Sequence, residues 1–300
     1  MPSILPDYNE LDVNVLEPFT KIKLVAIDLD GTLLKSNNSI LPRKVLEHSR
    51  KLRIKDIRIT IATGRTLNGS RALLEMLQIR NDTPIILYNG SVIINNKYEV
   101  LKHISISSED FKKVIKISSK YKVKLIAYCY DWLIGNEPRE HAIGCSSLDK
   151  PGQDYNKMPV YWLDWEDEII GSYSPSALVI HTCGDKDITS RMNCELATIP
   201  GISYTHGKTY IEVGPQDCNK GKALEFAAKA LGLSREQVLA LGDNDNDACM
   251  LAWAGIGVAV NSASDLARAS SDFLTKRGVL DGTIEMLNMI HTSKRYFNKS

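Results

Sequence analysis

The sequence has 300 residues, of which 43% are hydrophobic and 24% charged, and its formal net charge is +1. The length favours two globular domains, and the near-neutral charge gives no electrostatic reason to expect nucleic acid or an anionic membrane as a partner. Six cysteines are scattered without a Cys-x-x-Cys pair, no apolar run has the roughly 20 residues that span a bilayer, and residues 1–17 lack the basic and apolar regions of a signal peptide. We therefore expect a cytoplasmic protein that binds neither nucleic acid nor membranes.

The first part of the chain alternates between predicted strands and helices. Residues 1–20 are rich in proline and show little periodicity, so we expect an N-terminal extension that packs on the surface or is partly disordered. The hydrophobic pattern then predicts a strand at 22–29, a helix at 42–53, a strand at 57–62, a helix at 67–77 and a strand at 84–88. Such alternation is typical of a parallel sheet covered by helices on both faces.

A different pattern follows Asn89-Gly90, where hairpins and paired strands are combined with predicted helices at 108–121 and 185–196. We therefore expect residues 101–207 to form a separate domain inserted into the first one, which comprises 21–100 and 208–300. Strand-helix alternation returns from residue 222, and the last helix is predicted at 281–290. The predicted fold class is α/β, a Rossmann-like parallel-sheet core with an inserted α+β domain.

The most informative stretch is the apolar run of residues 25–33, which contains Asp28 and Asp30 and includes a Gly-Thr turn. Ligands of open α/β sheets bind at the carboxyl ends of strands, so these acids are placed where chemistry occurs. One of two such acids can attack or hold a metal while the other moves protons. Taken alone, the pair also fits turn-forming aspartates at a strand end.

Three other polar clusters fall at predicted strand ends or before a helix, namely Thr63-Gly64-Arg65, Lys220-Gly221 and the loop 242–247. Taken singly, they also fit a capped turn, a solvated lysine and a calcium loop. A calcium loop that starts at Asp243 needs Gly at its sixth position and Glu at its twelfth, but the sequence has alanine at both.

Together, the clusters supply what transfer of a phosphoryl group requires, which is a cation and hydrogen-bond donors around a negatively charged group. Asp28 and Asp243 offer hard oxygen ligands suited to Mg²⁺. Thr63 offers a hydroxyl next to two backbone amides, and Lys220 offers a positive charge. The pattern therefore indicates phosphoryl-transfer chemistry.

On these motifs the chain resembles the haloacid dehalogenase superfamily of phosphohydrolases, in particular the Cof-type group with a large C2-type cap inserted into the core. The resemblance covers roughly residues 22–290. The matching segments are Asp28-Leu29-Asp30-Gly31-Thr32-Leu33, Ala62-Thr63-Gly64-Arg65, Asn89-Gly90, Lys220-Gly221, Gly242-Asp243-Asn244-Asp245-Asn246-Asp247, Asn261 and Asp281-Gly282.

The resemblance implies a role for most of these positions. Asp28 would be the nucleophile, and Asp30 would protonate the leaving alcohol and then take a proton from water. Mg²⁺ would be held by Asp28, the backbone carbonyl of Asp30 and Asp243, with Asp247 acting through water or by positioning Lys220. Arg65 would orient an acid or meet the substrate. The phosphate would be bound or surrounded by Thr63, Gly64, Asn89, Lys220 and Asn246.

The resemblance implies a Mg²⁺-dependent phosphatase that hydrolyses small phosphorylated metabolites, sugar phosphates foremost, through an aspartyl-phosphate. We expect the protein to be a monomer or a homodimer. A phosphotransferase or phosphomutase acting on sugar phosphates uses the same residues and stays open. A metal-dependent glycosyltransferase would leave three of the clusters without a role, and the sequence gives no support to a non-enzymatic binding protein. The inserted domain would select the leaving group through aromatic and polar residues such as Tyr128, Tyr130, Trp132, Arg139 and His141.

Overall fold

The computed structural model describes residues 2–5, 16–35, 40–130, 132–135, 160–162, 173–207 and 209–297. The chain forms two compact units. The first unit comprises residues 1–64, 71–101 and 219–300, and the second unit comprises residues 65–70 and 102–218.

The described ranges contain both strands and helices. The strands are β1 (Ser3–Ile4), β2 (Leu24–Ile27), β3 (Arg58–Ile61), β4 (Ile85–Leu87), β5 (Val92–Ile94), β6 (Val100–His103), β7 (Lys124–Cys129), β8 (Trp132–Gly135), β9 (Val160–Trp162), β10 (Ala177–His181), β11 (Ile202–His206), β12 (Tyr210–Pro215), β13 (Val238–Gly242), β14 (Ile256–Ala259) and β15 (Phe273–Leu274). The helices are α1 (Arg43–Ile54), α2 (Leu67–Leu77), α3 (Ser108–Lys120), α4 (Lys186–Leu196), α5 (Lys220–Ala230), α6 (Ala248–Trp253), α7 (Asp265–Ala269) and α8 (Asp281–Phe297).

The first unit is built on a parallel sheet with the strand order β1-β15-β14-β13-β2-β3. Every residue of β2, β13 and β14 is buried, as expected for parallel strands that are covered on both faces. One core cluster joins Ala240 of β13 to Leu224 of α5 and Met250 of α6. The predicted α/β class with a parallel central sheet is therefore confirmed.

The register of this sheet brings the ends of three strands together. Ile27 at the end of β2 pairs with Leu241 of β13 on one side and with Ile61 of β3 on the other. The Asp28 N–H continues this ladder by donating to the Leu241 carbonyl at 3.0 Å. The residues that follow β2, β3 and β13 therefore leave the same edge of the sheet side by side.

The strand predicted just before Asn89 joins a different sheet. β4 pairs antiparallel with β5, and a single bridge between Ala62 and Ile86 connects it to the end of β3. The chain reverses after β4 because Tyr88 and Asn89 have φ angles of 51° and 54°, in the left-handed region. This reversal places Asn89 at the end of β3, where its N–H donates to the Thr63 carbonyl at 2.9 Å.

The N-terminal residues contribute more to the fold than the sequence predicts. β1 pairs in parallel with β15, Leu5 and Phe19 are fully buried, and the rings of Phe19 and Phe273 lie 5.8 Å apart. A two-residue strand and a single helical turn are too short to show a hydrophobic period, which is why the pattern predicts an extension instead. The described part of residues 1–20 belongs to the sheet and core of the first unit.

The second unit contains a sheet ordered β11-β12-β10-β7-β8-β9, in which neighbours are antiparallel except for β8 and β9. Its core joins Leu178 of β10 to Phe111 of α3 and Met192 of α4. The predicted α+β character of the insertion agrees with this arrangement, and the predicted domain boundaries stay predictions. None of the helices in the described ranges has the length and apolar character that a bilayer crossing needs.

Candidate active site

Lys220 is a buried ion-pair partner of two aspartates at the edge of the parallel sheet. Its Nζ donates to Asp28 Oδ1 and to Asp247 Oδ1, each at 2.6 Å, and none of the three side chains is more than 7% exposed. Helix α5 begins at Lys220, two residues before the predicted start, because the Asn219 side chain accepts from the Lys222 N–H as an N-cap. A lysine in the first turn opposes the helix dipole, so the two carboxylates determine its position.

Asp243 completes an acidic cluster from the loop after β13. One carboxylate oxygen of each of Asp28, Asp243 and Asp247 lies within 4.8 Å of the others. Thr32 is fully buried, and its hydroxyl donates to Asp243 Oδ1 at 2.8 Å. Gly31, at a φ of 93°, allows this approach, since a Cβ there would overlap the Asp243 carboxylate. The glycine is therefore required by the carboxylate as well as by the turn.

Asp247 also fixes the shape of the loop 243–247. Its Oδ2 accepts from the N–H groups of Asp243 and Asn244, both at 3.0 Å, while its Oδ1 faces Lys220. A Cβ on Gly242 would lie 2.5 Å from Asp247 Cβ, so the glycine lets the loop fold back onto the end of its own strand. Asp247 therefore positions the Lys220 ammonium and the Asp243 backbone together.

Three polar residues tie the neighbouring loops to this edge. Thr63 is 1% exposed, and its carbonyl accepts from the Asn89 N–H. Asn246 Nδ2 donates to Asn89 Oδ1 at 3.0 Å, which connects the loop after β13 to the reversal after β4. A Cβ on Gly64 would lie 3.1 Å from Asn89 Oδ1, so the loop after β3 packs tightly against the same amide.

The acidic cluster carries more negative than positive charge. Burial raises the pKa of Asp28 well above its usual range against the effect of Lys220, and the Asp247 and Asp243 carboxylates add to the rise. Burial also raises the pKa of Asp243 to about 6, although the Thr32 hydroxyl lowers it. Burial alone would lower the pKa of Lys220, but Asp247 and Asp28 raise it above the usual value. Lys220 therefore pairs directly with Asp28 and Asp247, while the third carboxylate of the cluster, Asp243, accepts from Thr32.

The predicted site also includes Asp30 and Arg65, which lie on two different loops. Asp30 follows Asp28 in the same loop with an exposed side chain, and its backbone bridges to Leu34. Arg65 belongs to the second unit, where its Nη1 donates to the Gly69 carbonyl at 3.1 Å. The roles predicted for Asp30 and Arg65 stay predictions.

Thr32 has no predicted role, and the structure places its hydroxyl on Asp243. Thr32 directly follows Gly31, a glycine whose positive φ other residues rarely adopt, and this position is the signal that could have identified it. Among the specificity residues predicted in the insertion, Tyr128 is 6% exposed, and the Tyr130 ring lies 6.3 Å from that of His103. Arg139 and His141 lie outside the described residues.

Comparison with known proteins finds hydrolases that are similar to this chain in sequence or in fold. A family model described as haloacid dehalogenase-like hydrolase matches residues 25–287. The chain is 28% identical over 269 residues to the 5-amino-6-(5-phospho-D-ribitylamino)uracil phosphatase YcsE of Bacillus subtilis, with 89% of this chain and 94% of that protein covered. It is 30% identical over 250 residues to the HMP-PP phosphatase of an Enterobacter species, with 80% and 85% covered.

A solved structure shares the fold over most of the chain. It is a haloacid dehalogenase-like hydrolase from Bacteroides thetaiotaomicron, and it matches with a TM-score of 0.75 at 24% sequence identity. The match covers 90% of this chain and 99% of the other. At this level of identity the likeness shows the fold alone.

Proposed function

This chain belongs to the haloacid dehalogenase-like hydrolase family, and we propose that it is a Mg²⁺-dependent phosphatase that moves the phosphoryl group of a small metabolite to Asp28 and then to water. The family and the two phosphatase relatives support the phosphatase activity itself. The observation that carries the covalent route is the 2.6 Å contact between Asp28 and the buried Lys220 inside a cluster of three carboxylates.

The acidic cluster fits a divalent cation. One oxygen from each of its three carboxylates lies within 4.8 Å of the others, and the pKa values of Asp28 and Asp243 are raised mainly by burial and further by the neighbouring carboxylates. Hard oxygen ligands suit Mg²⁺, which usually takes one or two carboxylates and keeps several waters. We assign Asp28, Asp243 and the Asp30 carbonyl to the ion, and Asp247 to the positioning of Lys220. Mg²⁺ bound there would reduce the repulsion between the Asp28 carboxylate and an anionic phosphate.

The proposed reaction consists of two displacements at phosphorus. In the first, an oxygen of Asp28 bonds to phosphorus, the bond to the substrate oxygen breaks, and Asp30 gives its proton to the leaving alcohol. In the second, Asp30 takes a proton from water, the water oxygen bonds to phosphorus, and the bond to Asp28 breaks to release inorganic phosphate. The exposed side chain of Asp30 suits this exchange of protons, and Thr63 would hold phosphate oxygens.

We favour phosphate monoesters of sugars or sugar alcohols as substrates. The name of the Bacillus relative describes a phosphate on a ribityl chain, which is a substrate of this class. In this proposal the described residues of the site bind the phosphate and the cation. Residues outside the acidic cluster would therefore select the leaving group. A sugar phosphotransferase would follow the same two displacements with an alcohol in place of water.

The direct test is a panel of phosphorylated metabolites assayed for phosphate release with Mg²⁺, with parallel reactions that contain a free sugar as acceptor. We expect release of inorganic phosphate from at least one sugar phosphate, loss of activity with EDTA and recovery with excess Mg²⁺. A phosphorylated acceptor in place of inorganic phosphate would identify a phosphotransferase instead. Activity that is indifferent to EDTA, or no turnover of any substrate, would contradict the proposal.

The raised pKa values also predict how the stability of the metal-free protein depends on pH. An aspartate in the unfolded chain titrates near about 3.9, whereas the pKa values of Asp28 and Asp243 are raised in the folded protein, that of Asp243 to about 6. Between these values the folded protein binds more protons than the unfolded chain, so stability falls as the pH rises through this window. The contribution of Asp243 to this fall is at most about 3 kcal/mol.

Since Mg²⁺ binds deprotonated carboxylates, the increase in melting temperature that Mg²⁺ causes should be larger at about pH 7 than at about pH 5. Thermal unfolding in EDTA and in Mg²⁺, without substrate, measures this difference. Asp243→Asn should reduce the difference, because the side chain that titrates in this window is then neutral throughout. An equal Mg²⁺ effect at both pH values would contradict the assignment of Asp243 to the metal.

A further inference from the structure

We infer that Thr283 is a positioning residue for the Mg²⁺ site and acts through Thr32 on Asp243, an inference that rests on the proposed function. Thr283 lies in the first turn of α8 and is fully buried. Its hydroxyl donates to the Thr32 carbonyl at 2.9 Å, and the Thr32 hydroxyl donates to Asp243 Oδ1 at 2.8 Å. Two hydrogen bonds thus connect the last helix to a carboxylate assigned to the metal.

The Thr32 carbonyl accepts a second donor from the same part of the chain. The Leu280 N–H, just before α8, donates to it at 2.9 Å. Leu280 has a φ of 68°, in the left-handed region that a large side chain rarely adopts. Such a conformation persists where the surrounding structure determines it, and it is common beside functional sites. Leu280, just before α8, and Thr283, in its first turn, therefore each donate to one carbonyl of the loop that carries Asp28 and Asp30.

Gly282 explains how α8 can begin in this place. A Cβ on Gly282 would lie 2.5 Å from Thr275 Oγ1 and 2.6 Å from the Arg277 carbonyl. The glycine therefore permits close packing of α8 against the segment 275–277. Asp281-Gly282 is one of the segments that match the family, and its sequence alone assigns it no role. Gly282 therefore fixes where the helix begins, and this also fixes the position of Thr283, the next residue.

The Thr283 hydroxyl is the feature that packing alone would not require. A valine has nearly the same shape and would fill the same buried space, but it has no donor for the Thr32 carbonyl. Without that bond, this carbonyl keeps the Leu280 N–H as its donor, and the Thr32 hydroxyl has more freedom relative to Asp243. A carboxylate that is less well oriented binds a metal ion less tightly.

The test is the Mg²⁺ affinity of the full chain, measured by calorimetry without substrate, for the wild type, Thr283→Val, Thr283→Ser and Thr60→Val. Thr60 is the matched control, because it is a fully buried threonine of the same unit whose hydroxyl donates to the Pro84 carbonyl at 2.5 Å. We expect Thr283→Val to weaken Mg²⁺ binding about 10-fold, the lower end of the range for residues that orient metal ligands, and to lower kcat with little change in KM. Thr283→Ser and Thr60→Val should keep the wild-type affinity.

Each other outcome has a distinct meaning. Equal Mg²⁺ affinity in the wild type and Thr283→Val would overturn this inference and leave the proposed function intact. Equal weakening in Thr283→Val and Thr60→Val would also overturn it, because loss of any buried hydroxyl would then suffice. A wild type that binds no Mg²⁺ would overturn the metal assignment itself. Thr283→Ala removes the same hydroxyl with less bulk and replaces the valine variant in the comparison if that variant does not fold.

Discussion

Asp28→Asn is expected to reduce phosphatase turnover by at least about 10⁴-fold. The amide is neutral, so it is a poor nucleophile towards phosphorus and no longer balances the charge of Lys220. The side chain is 7% exposed and its backbone is fixed to Leu241, which leaves little room for another group to take its place. The measurement is the rate of phosphate release from the best substrate at saturating Mg²⁺.

Asp245→Asn is the matched control for this variant. It makes the same chemical change in the loop that carries Asp243 and Asp247, at a position whose side chain is exposed. We expect near wild-type turnover from it. Acid quenching with labelled substrate should also trap a phosphorylated protein in the wild type and none in Asp28→Asn. Near wild-type turnover in Asp28→Asn would defeat the covalent route. Equal losses in both variants would mean that removal of any negative charge at the carboxyl ends of β2 and β13 lowers turnover.

The strands that carry the site are predictable from their composition. β2 and β13 are apolar and buried at every residue, while β3 alternates polar and β-branched apolar residues and is buried at its last two positions. Each strand ends just before polar residues begin, so their ends can be read from the sequence. The rule that ligands bind at the carboxyl ends of parallel strands then predicts that Asp28 and Asp243 lie side by side. The structure places them within one acidic cluster, and their chemical roles remain to be tested.

Contacts made by short or irregular segments cannot be predicted in this way. β1 has two residues, and the reversal at Tyr88 and Asn89 depends on left-handed backbone angles that residues other than glycine seldom adopt. Leu280, whose N–H donates to the same Thr32 carbonyl as the Thr283 hydroxyl, also has such an angle. Hydrophobic periodicity reports which face of a regular element is buried, and it carries no information about these single backbone angles.

Lys220→Met is expected to lower the free energy of unfolding by about 3–5 kcal/mol in the absence of metal. The lysine is 1% exposed, and its ammonium donates to Asp28 and Asp247 at 2.6 Å. Methionine fills a similar volume but leaves two buried carboxylates without their cation. Because those carboxylates can take up protons as the pH falls, the loss should be larger at about pH 8 than at about pH 5. Urea unfolding in EDTA at both pH values measures it.

Lys222→Met is the matched control, since it removes a lysine with an exposed side chain from the same turn of α5. We expect it to change the free energy of unfolding by less than about 0.5 kcal/mol.

The double variant Lys220→Met, Asp247→Asn should recover part of the stability lost in Lys220→Met, because the side chain at position 247 is then neutral. We expect this double variant to remain inactive. Mg²⁺ should stabilise Lys220→Met more than the wild type, since the cluster then carries a larger uncompensated charge. Lys220→Met could also prove as stable as the wild type in EDTA at about pH 8. The buried carboxylates would then not be negatively charged without Lys220, and the assignment of Mg²⁺ to Asp28 and Asp243 would lose its electrostatic basis.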